Sequence, residues 1–177
     1  LKELEEALAT RSGARAARFF AALLAGGELR GWWGNLVGRE ELGRVLGSAV
    51  GKLLRQALAV RGHTSKAGLE AELDPRACAA DRWYNNTFRQ RICAKLEEEI
   101  ASQPASPLSK MSPWALHLSF KLAAGYDDAA LLQALARLGA NRVELAQGGE
   151  AVAAVSAPVM ELLTSRAAPA GRRARGD

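Results

Sequence analysis

Between Arg39 and Arg61 the chain places Leu42, Val45, Leu46, Ala49, Val50, Leu53, Leu54, Ala57 and Leu58 three and four positions apart. That spacing follows the 3.6-residue period of an α-helix and gathers the apolar side chains on one wide face. A face this broad is stable only when other elements cover it, so the segment predicts a helix packed into a helical bundle. Gly43, Gly47 and Gly51 recur at every fourth position beside that face. Each glycine costs a helix about 1 kcal/mol relative to alanine. Three in register therefore predict a groove where another helix backbone comes close. Arg39, Arg44, Lys52 and Arg55 keep the segment in water and exclude the membrane version of this pattern.

The rest of the chain reads the same way. Leu4, Leu8, Ala17, Phe20, Leu23 and Leu24 predict helix over 1–25, with Gly13 as a break. Gly31-Trp32-Trp33-Gly34-Asn35 predicts a tight corner between helices, its aromatics wedged into the core. Residues 61–66 are expected to be loop, followed by a short helical piece to about Leu73. Asp74-Pro75 and Ser112-Pro113 each pair a capping side chain with a proline suited to the first helical turn. The first opens a helix expected to reach Ser102, with Tyr84, Phe88, Ile92, Leu96 and Ile100 four apart and a disturbance at Asn85-Asn86. The second opens one ending at Gly125. Asp127 caps a helix to Gly139, a turn of helix follows over 141–147, and Pro158 breaks an apolar helix over 151–163.

Composition agrees. The chain holds 36 Ala, 26 Leu and 18 Arg, all good helix formers, against 2 Ile. The expected fold class is all-α, a bundle of about six to eight helices at ordinary helix lengths, with no sheet. The proposed organisation is a main bundle over 1–102, a Pro/Ser linker over 103–109, a small helical subdomain over 110–165 and a flexible basic tail over 166–177.

Signatures of chemistry are scarce. Gly47-Ser48-Ala49-Val50-Gly51-Lys52-Leu53 fails as a phosphate-binding loop: its glycines are one residue too close, Leu53 replaces the metal-binding hydroxyl, and no strand precedes it. His63 and His117 have no partner at local spacing, and with Cys78 and Cys93 they give no metal-ligand spacing. Asp127 and Asp128 are explained as acids in a first helical turn. The sequence therefore points away from an enzyme, and it implies no cofactor, no metal and no membrane span. Two cysteines make no disulfide framework, so a reducing, intracellular compartment is expected, or a virion if the chain is a coat subunit.

One stretch stands out. Arg82, Asn86, Arg89, Gln90, Arg91 and Lys95 are interleaved with Trp83, Tyr84 and Phe88. Arginine and lysine neutralise phosphates, amides bond sugars or base edges, and aromatic faces stack bases. Arg11, Arg15 and Arg18 form a second basic stripe, Arg15 and Arg18 being its candidate contacts, and the net charge is +5. A basic 76–95 followed by Glu97-Glu98-Glu99 suits head-to-tail self-association. The leading expectation is a non-enzymatic structural subunit of a larger assembly that contacts a nucleic-acid backbone, as a coat or nucleoprotein subunit does. The alternative is a protein-interaction module with no nucleic-acid role, binding a partner protein through Trp32, Trp33 and the face lined by Gly43, Gly47 and Gly51.

Overall fold

A computed structural model describes residues 1–141 and 151–165. Most of the turn expected over 141–147 and the basic tail over 166–177 lie outside the described residues. The described part is helical apart from one two-stranded antiparallel ribbon. It divides into two compact units, Leu1–Arg55 with the segments from Asp128 onward, and Gln56–Asp127. The division falls within one helix and after another, not at 103–109. That stretch is a run of turns anchored by Leu108, which is 2% exposed.

In the first unit, the helix expected over 1–25 is divided into α1 (Lys2–Ala9) and α2 (Gly13–Leu24), so Gly13 opens the second helix and does not itself form the break. The break falls at Thr10–Ser12, where Arg11 takes φ 52° and Ser12 caps α2 by accepting from the Arg15 N–H. Arg11 donates to the carbonyls of Leu163 and Ser165, a cation at the C-terminal end of α8 (Ala151–Thr164). α2 packs on both α1 and α8, and α8 packs on α7 (Asp128–Ala140). Pro158 sits inside α8 without ending it.

The double-tryptophan corner is not between helices. β1 (Leu29–Arg30) pairs with β2 (Leu36–Val37) in a hairpin whose loop is 31–35. Gly34 takes φ 85°, which an L side chain resists, so the loop closes and turns Trp33 outward. Trp33 is 96% exposed, so it is not a core wedge. With two residues per strand the hairpin was too short to leave an alternating pattern.

Helix α3 (Leu42–Lys66) passes from the first unit into the second. It includes 61–66, so His63 is helical and not in a loop. Arg61 Nη1 explains the continuation: it donates to the carbonyls of Ala123 and Tyr126 at 2.9 and 3.0 Å, at the end of α6 (Pro113–Gly125). The remaining elements of this unit are a 3-10 helix (Glu70–Glu72), where a short helical piece to about Leu73 is expected, α4 (Pro75–Cys78), a π-helix (Tyr84–Ile92) and α5 (Cys93–Ala101). The long helix expected over 74–102 is thus interrupted at 79–82, where Arg82 has φ 60°. α6 packs on α4, on the π-helix and on α5, around the fully buried Phe88, Ile92, Leu96 and Phe120.

Candidate nucleic-acid interface

The disturbance at Asn85-Asn86 is a change of helix type. From Tyr84 to Ile92 the backbone closes i→i+5 bonds, the Cys93 N–H donating to the Phe88 carbonyl at its end. Side chains four and five apart then share a face. Trp83 meets Phe88 five positions on, and Phe88 is followed by Ile92 and Cys93 on the same side. All four are buried. Asn85, Asn86, Arg89, Gln90 and Arg91 occupy the other side, and every one is exposed. In an ordinary α-helix Phe88 and Ile92 would still share a face, but Trp83 and Cys93, each five positions from Phe88, would rotate toward the side of Gln90 and Arg89. Widening the turn separates the aromatic face from the polar one.

Arg82, just before the π-helix, is exposed in a left-handed conformation that costs a non-glycine residue about 1–2 kcal/mol. Strain of this kind clusters at functional sites. Lys95, one helical turn past Arg91, is exposed too. Among the described residues Arg91 alone of these cations has an ion pair, with Glu72 at 3.6 Å. Its Arg91 side chain is 69% exposed, so the pair contributes at most about 1 kcal/mol and yields easily to a phosphate.

Trp83 and Phe88 are not available for base stacking. Trp83 is 6% exposed and Phe88 fully buried, so neither offers a face to a base. They pack with His117 and Phe120 at ring distances of 5.3–5.8 Å. Among the described residues of this unit the accessible aromatic is Trp114, 54% exposed, edge-on to the half-buried Tyr84 at 4.9 Å. Sequence reasoning missed it. The signal was its place directly after Pro113, because side chains lean toward the helix N-terminus and one in the first turn projects past the end.

The other sequence-predicted residues lie in the first unit. Arg15 and Arg18 are exposed on α2, and Arg15 pairs with Glu6 at 3.2 Å. Arg11 is spent on the α8 carbonyls, which shortens the stripe to two. Gly43 and Gly51 are buried and Gly47 is half-buried, so the chain itself covers much of that face. A Cβ at Gly51 would meet Arg55 Nη1 at 3.2 Å, so the neighbour there is an arginine of the same helix and not another backbone. What stays open of the protein-interaction surface is the hairpin. Trp32 and Trp33 line a cleft of about 300 Å³ with Leu1, Val45 and Lys52.

Cys78 and Cys93 are buried free thiols. Burial pushes the first up to about 12 and the second up to about 11, so neither is a thiolate near neutral pH. Among the described residues no three His, Cys, Asp or Glu side chains converge as a metal site requires, and no helix is long and apolar enough to cross a membrane. Comparison with protein-family models, curated proteins and solved structures returns no match.

Proposed function

We propose that the chain is a helical assembly subunit that contacts a nucleic-acid backbone through the polar side of its π-helix. The observation that carries this reading is the exposed row Asn85, Asn86, Arg89, Gln90 and Arg91, continued by Lys95 and preceded by Arg82. Guanidinium and amide groups alternate along it. Phosphates fit the first and sugar or base edges the second. Trp114 and Tyr84 supply an aromatic surface in the same unit. No feature of the row selects a base sequence, so affinity is expected to be electrostatic.

Labelled single-stranded RNA and a matching DNA duplex, titrated by fluorescence anisotropy from about 50 to 300 mM salt, test the proposal. Binding should weaken steeply with salt as counterions are released, and each arginine lost from a phosphate contact should reduce the log–log slope by about 1. Arg89→Ala and Arg91→Ala should each do so. Absence of binding at the lowest salt, or slopes unchanged in both variants, refutes it. The hairpin reading instead requires an apolar contact with weak salt dependence, lost on Trp33→Ala.

A further inference from the structure

Three side chains far apart in sequence meet in the Gln56–Asp127 unit. His63 Nε2 lies 2.8 Å from Ser106 Oγ, and His63 Nδ1 lies 3.7 Å from Glu99 Oε1. The histidine is 6% exposed. Glu99 is held in turn by Gln103, whose Nε2 donates to Glu99 Oε1 at 2.8 Å. Ser106 Oγ accepts the Leu108 N–H at 3.3 Å, which fixes the hydroxyl within the 103–109 turns. Ser106 and His63 open onto a cleft of about 380 Å³, bounded also by Lys66, Gln103 and Ala105.

We infer that Ser106, His63 and Glu99 form a nucleophile, base and orienting carboxylate that hydrolyse short acyl esters. This goes beyond nucleic-acid binding and does not depend on it. Such a constellation is recognised by geometry and roles, not by chain order. For Ser106 to donate its proton to Nε2, His63 must carry its own on Nδ1, the nitrogen that faces Glu99. That nitrogen has no hydrogen-bond partner among the described residues. A buried N–H left unpaired is costly, so a slight closure onto the carboxylate is favoured, and free enzymes often show this bond long. The cleft is large enough for a small acyl ester. Lys66 lines the same cleft and supplies it with a cation that can stabilise negative charge developing on a bound ester.

In the first half-reaction Ser106 Oγ attacks the ester carbonyl carbon while His63 Nε2 takes the hydroxyl proton. The bond from that carbon to the alcohol oxygen breaks, and the departing alkoxide receives the proton. In the second, His63 deprotonates a water that attacks the acyl-serine, which releases the carboxylic acid and returns the proton to Ser106. Glu99 acts through His63 and is a positioning residue.

A fluorophosphonate probe with peptide mass spectrometry reads the nucleophile directly, and p-nitrophenyl butyrate reads turnover. The expected result is an adduct on Ser106 in folded protein and none after heat denaturation. Labelling should slow about 100-fold in His63→Gln, the contribution of a general base. Glu99→Gln should lower kcat for p-nitrophenyl butyrate about tenfold or more with KM unchanged. Ser106→Ala should show neither adduct nor turnover. No adduct at Ser106 in folded wild-type protein, or an adduct formed as fast in His63→Gln or in denatured protein, overturns the inference and leaves the His63–Ser106 bond as a tether for the turns.

Discussion

His117 sets a pH dependence of stability that can be worked from its surroundings. Its ring is enclosed by Trp83, Tyr84, Phe88 and Trp114 at centroid distances of 5.5, 4.8, 5.3 and 5.1 Å. Nδ1 has no hydrogen-bond partner among the described residues. Burial first, and then the positive charge of Lys121 on the next turn of α6, lower its pKa from 6.5 to about 4. The unfolded chain therefore takes up a proton at this residue below about pH 6.5, and the folded chain only below about pH 4. Stability is complete above the unfolded value and falls as pH drops through the window between the two. At about 1.4 kcal/mol per pH unit the loss by pH 4.5 approaches about 2.5 kcal/mol. Trp114 on one side of the ring is half-exposed, and relaxation of the charged form toward solvent reduces the figure to about 1–2 kcal/mol. His117→Leu keeps an apolar side chain of similar bulk and removes the titration. Urea unfolding of both proteins at pH 7.5 and 4.5 cancels the carboxylates they share. The difference between them should move in favour of His117→Leu by about 1–2 kcal/mol at the lower pH. Parallel pH profiles would mean that the folded protein protonates His117 as readily as the unfolded chain, and the aromatic enclosure would then not exclude the charge.

Three further outcomes follow from the same unit. Phe88 is fully buried between the π-helix and α6, so Phe88→Ala should cost about 3–5 kcal/mol in urea or thermal unfolding; a cost below about 1 kcal/mol would remove it from the core. Arg82 holds φ 60°, so Arg82→Gly should be more stable than Arg82→Ala by about 1 kcal/mol, while both lose the same increment of salt-dependent binding. Equal stabilities would show that the backbone relaxes out of the left-handed region. Asp74 accepts the Arg76 N–H at 2.9 Å, and Asp74→Ala should cost about 1 kcal/mol measured by thermal unfolding at constant pH.

What the sequence made legible was local. Asp74-Pro75 and Ser112-Pro113 both start helices where the caps place them, because a side chain bonding an amide two or three residues on is a short-range event. The long apolar period of α3 likewise survives folding. Its last turn is not legible locally, because the Arg61 bonds to Ala123 and Tyr126 join residues 62 and 65 positions apart, which no window of local composition contains. The four-residue spacing of Tyr84, Phe88, Ile92 and Leu96 fits an α-helix about as well as a π-helix. What distinguishes them is that Trp83 and Cys93 are buried too, a demand of packing against α6. That same demand turns Arg89 and Gln90 outward together, so the polar row exists only because the backbone widens.

Neither histidine has a partner at local spacing, and from that the sequence pointed away from an enzyme. His63 and Ser106 are 43 residues apart and come together because α3 extends to Lys66 while the 103–109 turns fold back with Leu108 buried. A hydrolytic triad carries no fixed spacing, since the chemistry constrains only where the oxygen, the two ring nitrogens and the carboxylate stand in space. Absence of a motif therefore weighs heavily against cofactor loops and zinc sites, whose geometry is built into contiguous residues, and hardly at all against a serine nucleophile. The stretch read as a linker for its prolines is where Ser106 meets His63. Pro104 and Pro107 fix their own φ on either side of Ser106, so the composition read as a linker also restricts the backbone that carries it.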